Sequence, residues 1–452
     1  MRAPRFLIAA AHKSSGKTVV STGIAAALTA RGLKLAAFKK GPDYIDPMWL
    51  GAAIKGPCYN LDFNTQAPDE IADFFASRIT GAEATLVEAN KGLFDGVSMD
   101  GSDANAALAK MLGLPVVLVI DTVGMTRGIA PLLQGYRAFD PEVNIVGVIL
   151  NKVGGSRHEK KLREAVETYT DLKVVGAVHR NPALEIGERH LGLTTPAETG
   201  GLDALIERLG GVVGASVDLD LLLDLAARAP DLPDPPAPTA LSEPDVTIAY
   251  ARDRAFGFYY PDDLEAFAEA GARLVPFDAM RDPVLPDCDG LFIGGGFPEM
   301  FVGELEANAA LRADIRAKIA AGLPTYAECG GLMYLSRTIV AETGVGEMVG
   351  TVPAEAVMHP TPEGKGLIRF TERADHPWPG NGEIRAHEFH YARLRSIAGT
   401  PTYGRTITRG HGVDGAHDGI VVHNALAGFC HLRNTRADPW VHRFVDFVRG
   451  RR

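Results

Sequence analysis

Short, uninterrupted apolar runs alternate with longer stretches of helical periodicity through the first half of this chain. The runs fall at residues 6–11, 35–38, 85–87, 116–120, 145–150 and 174–178. A strand that is apolar on both faces has to be covered on both, as in a parallel sheet sandwiched between helices. The rhythm stops at residues 229–244, which contain six prolines. Proline fixes φ and removes an amide donor, so this stretch reads as a stiff, extended connection. The rhythm then restarts at 246–251, 273–276, 291–293 and 325–327, while a later run at 420–422 reads as mixed or antiparallel. The pattern predicts two α/β domains in tandem, 1–230 and 245–452, joined by a proline-rich linker at 231–244.

Length agrees, since 452 residues suffice for two cores. The net charge of −10 argues against a nucleic-acid partner. It leaves room for an acidic small molecule in a locally basic cleft. Four cysteines (Cys58, Cys288, Cys329 and Cys430) are far apart and include no C-x-x-C pair. They fit neither a disulfide framework nor a zinc site, and they suit a reducing cytoplasm. The apolar opening is broken by His12-Lys13 too early for a signal peptide. No stretch approaches the ~18 apolar residues that a membrane span needs.

Residues 11–18 read Ala-His-Lys-Ser-Ser-Gly-Lys-Thr, which is GxxxxGK[ST] with alanine in the first glycine's place. An apolar run precedes them and a helical stretch follows, the context that a phosphate-binding loop requires. Ser14, Ser15, Gly16 and Lys17 would cradle phosphate at a helix N-terminus. Lys17 would reach the β- and γ-phosphates of ATP, and the Thr18 hydroxyl would ligate Mg²⁺. Three acidic groups compete as further ligands: Asp43 and Asp46 in Gly41-Pro-Asp-Tyr-Ile-Asp-Pro47, Glu88 at a strand end, and Asp95 in Gly92-Leu-Phe-Asp-Gly96. Mg²⁺ keeps several waters, so one or two carboxylates suffice, with Glu88 the leading candidate. Each lone aspartate reads equally well as a turn cap. Asn151, beside Lys152 at the end of a predicted strand, resembles a base-recognition corner.

The second half carries Ala327-Glu-Cys-Gly-Gly331. A lone cysteine is more often a small core residue than a nucleophile. Here small neighbours on a strand-to-helix turn would lift the Cys329 sulfur over the sheet, the arrangement of a nucleophile elbow. Gly330 would supply one oxyanion amide, and the turn Gly294-Gly-Gly-Phe-Pro-Glu299 a second, with Gly295 the candidate. His431 is the leading base, with His423, His387 and His390 as alternatives. His387-Glu-Phe-His-Tyr391 lacks the HExxH spacing of a zinc site and reads as a structural or substrate-wall segment.

In order along nearly the whole chain, these motifs resemble the cobyrinic acid a,c-diamide synthase family, including its hydrogenobyrinic acid counterpart. The Gly-Pro-Asp-Tyr-Ile-Asp-Pro run is the most specific of them. The resemblance implies a dethiobiotin-synthetase-like P-loop domain followed by a class I glutamine amidotransferase domain of flavodoxin-like topology. It implies that Cys329, with His431, releases ammonia from L-glutamine. It further implies that ATP·Mg²⁺ activates the a and c carboxylates of a corrin polycarboxylate as acyl phosphates. Thr18, Asp46 and Glu88 would then serve the metal, and Asp43 and Asp95 the acyl-phosphate or substrate site. A homodimer is the base-rate expectation. Class I amidotransferases usually place a glutamate two residues beyond the histidine, where this chain has Arg433, so the group that orients His431 is left open.

Two alternatives stand beside this reading. One is a sibling tetrapyrrole amidotransferase, either cobyric acid synthase or the enzyme acting on a nickel tetrapyrrole. The other is a P-loop switch protein with a non-catalytic amidotransferase domain. The intact pair Cys329 and His431 argues against the latter, as does His12 where partitioning-type switches carry lysine.

Overall fold

The computed structural model describes residues 4–189, 192–237, 241 and 243–452. They form two compact units, one built before the proline-rich run and one after it, with Asn64–Gln66 grouped with the second. Residues 231–237 hold no helix or strand. Residues 238–240 and 242 of the expected linker lie outside the described ones. Among the described residues no helix is long and apolar enough to cross a membrane.

In the first unit β1 (Arg5–Ala10), β2 (Leu35–Lys40), β3 (Cys58–Leu61), β4 (Ala84–Glu88), β5 (Val116–Asp121), β6 (Ile145–Val153) and β7 (Lys173–His179) form a seven-stranded sheet. Its order is β3-β2-β4-β1-β5-β6-β7 and every pairing is parallel. Side chains alternate across a strand, so β1 feeds two cores: Leu7 and Ala9 enter one, Phe6 and Ile8 the other. Both faces are covered, and for that reason β1 reads as an unbroken apolar run. The helix α1 (Lys17–Ala30) sets Val20, Ile24 and Leu28 into the second core beside Leu209 and Val213. Each such fully buried side chain contributes about 1.5–3 kcal/mol. Because β1 lies between β4 and β5, the loop after it opens at the point where the strand order reverses, where α/β sheets hold their ligands.

The second unit holds a nine-stranded mixed sheet. Its parallel part runs Ala272–Phe277, Val246–Ala251, Gly290–Ile293, Thr325–Glu328 and Ala425–Gly428. In chain order that is 2-1-3-4-5, the expected flavodoxin-like topology. His417–Val422, Thr402–Arg409, Gly364–Glu372 and Glu383–His390 extend it with antiparallel pairings. A separate four-stranded sheet contains Gly344–Glu347, Ser336–Ala341, Val352–Met358 and Ala392–Arg395. Beneath the sheet Tyr326 stacks on Phe292 with ring centroids 5.7 Å apart, and Trp440 packs on both rings. Trp440 opens the last helix, Trp440–Arg449, whose Val441, Phe444, Val445 and Val448 complete that apolar stripe.

The apolar rhythm locates the parallel strands well and overlooks β3 and most of the antiparallel extension. Those later strands interleave exposed residues, such as Lys365 and Arg385, with buried ones. They produce no continuous run.

Two glycines distinguish close packing from mere helix composition. A Cβ on Gly331 would lie 2.2 Å from the Ile293 carbonyl oxygen, whereas a Cβ on Gly303, within the helix Val302–Ala307, meets nothing within 4 Å. Gly331→Ala is therefore expected to destabilise the protein by about 1–3 kcal/mol. Gly303→Ala is expected to leave stability unchanged or raise it by up to about 1 kcal/mol, since a helical alanine loses less backbone entropy. Thermal unfolding of the two variants checks the contrast.

Candidate functional site

The phosphate loop follows β1 with the geometry that phosphate binding needs. Ser14 and Gly16 adopt left-handed backbone at φ 65° and 83°, and Gly16 leads directly into α1. Such alternation turns successive amides toward one concave point. Gly16 also has to be glycine, since a Cβ there would stand 2.3 Å from Asn151 Nδ2. Asn151 donates from that amide to the Ser15 carbonyl at 2.8 Å. It thus braces the loop from β6, while Lys152 beside it reaches Asp121 and the Ser14 carbonyl. The Ser15 hydroxyl donates to the His12 carbonyl, which leaves the loop's shape internally fixed.

Around the loop sits a charge cluster centred on a lysine that the motifs did not single out. Lys39, at the end of β2 and only 2% exposed, bonds Asp46 Oδ2 at 2.5 Å and Glu88 Oε1 at 2.8 Å, with Asp43 Oδ2 at 3.9 Å. The Thr18 hydroxyl donates to the same Glu88 oxygen at 3.1 Å. Burial alone would drive the proton off Lys39, but Asp46 and Glu88 outweigh it and hold the ammonium charged. Burial, with Asp46 beside it, pushes the Asp43 carboxyl up to about 7. Asp46 is also buried, yet contact with Lys39 keeps it below the usual carboxylate range, while burial raises Glu88. Lys17 is lowered by burial and by Lys39, and its ammonium rests on the Lys91 carbonyl at 2.9 Å.

Asp46 and Glu88 thus meet at the Lys39 ammonium, with the Thr18 hydroxyl on Glu88. Glu88 Oε2 is buried with no hydrogen-bond partner, an orphaned acceptor of the kind a cation satisfies. Among the described residues no group of three His, Cys, Asp or Glu side chains forms a complete metal cage. A Mg²⁺ ion here would rely on one or two carboxylates, Thr18 and phosphate oxygens, its usual mode of binding. Asp43 and Asp95 both serve local turns: Asp43 Oδ1 accepts the amides of Ile45 and Asp46, and Asp95 Oδ2 accepts that of Gly92.

In the second unit Cys329 joins the strand Thr325–Glu328 to the helix Gly330–Leu335 at φ 48°, ψ −99°. L-residues rarely adopt that conformation, and a turn so tight requires small neighbours. Gly330 and Gly331 supply them, for a Cβ on Gly330 would lie 3.0 Å from the Gly296 amide nitrogen. Gly295 borders the site from the other side, its missing Cβ 2.6 Å from the edge of the His431 ring. The Gly294 amide is used by the Tyr259 hydroxyl at 3.0 Å.

His431 is the histidine brought to the thiol. It hydrogen-bonds Cys329, and its Nδ1 lies 3.5 Å from Glu328 Oε2. Burial opposes a charge on this ring, but the bonds to Cys329 and Glu328 raise it to about 10. His387 stacks on His431 with centroids 4.8 Å apart, and Tyr260 stands 3.4 Å behind it. His390 stacks on Phe429, and His423 occupies a left-handed turn. Of the His387-Glu-Phe-His-Tyr391 run, the Phe389 carbonyl also meets Sγ at 3.9 Å. Arg433 is committed to Asp262 at 3.0 Å. Sequence reasoning missed Lys39 and Glu328, although a lysine pair ending a strand just before the Gly-Pro-Asp run was a visible signal for the first.

A phosphate-loop unit followed by a Cys-His elbow unit defines a nucleotide-binding glutamine amidotransferase. Residues 6–193 match the CobQ/CobB/MinD/ParA nucleotide binding domain, and residues 247–438 the CobB/CobQ-like glutamine amidotransferase domain. The chain is 43% identical to the cobyrinate a,c-diamide synthase of Magnetococcus marinus, over 100% of this chain and 98% of that one. It is 40% identical to that of Dehalococcoides mccartyi, covering 100% and 99%. For the Methanosarcina acetivorans protein of the same name the figures are 38%, 95% and 92%. The chain belongs to the cobyrinate a,c-diamide synthase family.

Removing the central cation should expose the cost of the carboxylates around it. Lys39→Met leaves buried acids without a counter-charge and is expected to destabilise the first unit by about 3–5 kcal/mol. Adding Glu88→Gln to that variant is expected to restore part of the loss. Calorimetry on the full-length chain reads both changes.

Proposed function

We propose that this protein makes amides from the a and c side-chain carboxylates of cobyrinic or hydrogenobyrinic acid, using L-glutamine for nitrogen and ATP for activation. Full-length similarity to cobyrinate a,c-diamide synthases supports the substrate class. The observation that carries the chemistry is the strained Cys329 hydrogen-bonded to His431.

The His431 ring, bonded to sulfur, can pass a proton between it and the leaving group. Sulfur attacks the glutamine side-chain carbonyl, and the C–N bond breaks as His431 gives its proton to departing ammonia. Water then attacks the thioester, His431 takes up the proton, and glutamate leaves with the thiol restored. The amides of Gly330 and Gly295 would donate to the oxygen on which negative charge collects.

At the nucleotide site Lys17 and the loop amides would grip the phosphates of ATP. Thr18, Glu88 and Asp46 would hold Mg²⁺, whose contribution is neutralisation of phosphate charge. A carboxylate is a poor electrophile, so transfer of the γ-phosphoryl group to it gives ammonia a leaving group to displace. The products are amide, ADP and phosphate. Lys39 and Asp43 belong to the same cluster, Asp43 and Asp95 would serve the acyl-phosphate or substrate, and Asn151, which braces the loop, would border the nucleotide.

The two half-reactions separate by substitution. Cys329→Ala is expected to lose glutamine-dependent amidation by at least about a thousandfold while retaining amidation from free ammonia. Lys17→Ala is expected to lose both. Mass spectrometry of the corrin product from each nitrogen source distinguishes the outcomes and counts the amides. Ammonia-dependent activity in Lys17→Ala, or glutamine-dependent activity in Cys329→Ala, would contradict the assignment.

A further inference from the structure

We propose that Glu328, the residue immediately before the nucleophile, is the positioning residue that orients His431. The inference rests on the amidotransferase reading above and deepens it.

Thr325–Glu328 pairs in parallel with Ala425–Gly428, Glu328 lying opposite Gly428. The chain that leaves the second strand therefore carries His431 past the end of the first, where Glu328 waits. Tyr326 lies two residues earlier on the same strand face, and its hydroxyl donates to Glu328 Oε1 at 2.7 Å. The Leu432 amide donates to the same oxygen at 2.8 Å. With Oε1 fixed twice, the carboxylate cannot swing, and Oε2 is left 3.5 Å from His431 Nδ1. Both side chains are 3% exposed, so water does not screen the pair. A carboxylate at Nδ1 selects the ring orientation that leaves Nε2 for the sulfur.

The other neighbours offer no substitute. His387 stacks on the ring and is itself held neutral by burial and by His431. Tyr260 stands behind His387, and the Arg433 guanidinium is turned to Asp262 and lies over the Tyr260 ring at 5.0 Å. On the far side of Glu328, burial pushes both the Asp263 carboxyl and the Tyr259 hydroxyl well up, so neither competes as an anion. Arg405 contacts the Tyr326 hydroxyl at 3.3 Å and reaches Glu328 only through it. Among the described residues, Glu328 is the carboxylate seen in contact with the His431 ring.

The sign of the expected pH effect follows directly. A carboxylate favours the imidazolium, so deleting its charge lowers the pH at which His431 loses its proton. In Glu328→Gln, kcat for glutamine hydrolysis should fall on the order of a hundredfold with KM nearly unchanged. The alkaline limb of the pH profile should move down by about one unit or more. The limb starts from near 10, the value to which this site raises His431. Ammonia-dependent amidation should be retained, which also reports that the variant folds. Glu328→Asp keeps the charge on a shorter arm and should hold the limb near its original position while kcat falls about tenfold. If Glu328→Gln hydrolyses glutamine within about twofold of the parent and its limb does not move, the proposal is overturned while the role of Cys329 stands. Should Cys329→Ala retain glutamine hydrolysis, the amidotransferase reading and this proposal fall together.

Discussion

Backbone strain at Cys329 is the constraint around which the second unit is arranged. A non-glycine residue at φ 48°, ψ −99° persists only where its surroundings overdetermine it. Here the surroundings are specific. The Cys329 amide is held by the Gly428 carbonyl at 2.7 Å, and its carbonyl accepts the Met333 amide as the first turn of the following helix. Gly331 lets that helix sit against the Ile293 carbonyl, closer than any side chain allows. The strain aims the sulfur at the space bounded by His431 and the 294–296 turn.

The two units solve a common electrostatic problem in opposite ways. In the first, a buried ammonium is surrounded by acids: Lys39 gathers Asp46, Glu88 and, more distantly, Asp43. The acids are thereby kept close together, near a loop built for phosphate. In the second, a buried acid serves a cation, since Glu328 faces the His431 ring. Deeper still, Arg405, fully buried, pairs with Asp418 and touches the Tyr326 hydroxyl. Ionised groups inside a protein are costly unless paired and hydrogen-bonded. Such networks hold their members in fixed geometry, which is what a site for group transfer requires.

Much of this was legible in the sequence, for identifiable reasons. Strands buried on both faces write themselves as unbroken apolar runs, so the parallel cores could be read directly. The phosphate loop and the elbow depend on local backbone shape, and local shape is carried by adjacent small residues such as Gly16, Gly330 and Gly331. Lys39 was hidden because a lysine is ordinarily assigned to solvent, and only the meeting of β2 with β4 shows that it faces Glu88. Glu328 was hidden for a similar reason: its partner lies about a hundred residues away, and their contact depends on the pairing of two strands. Arg433 gave a true but incomplete signal. It announced that the usual carboxylate was missing without saying where a replacement stood.

The account turns on Cys329 being the thiol that takes the glutamyl group. A diazoketone analogue of glutamine, followed by peptide mapping of the full-length protein, tests this most directly. The account predicts a single covalent adduct on Cys329, prevented by excess glutamine, with Cys58, Cys288 and Cys430 unmodified. An adduct on another cysteine, or none on Cys329 under conditions that support glutamine-dependent amidation, would contradict it.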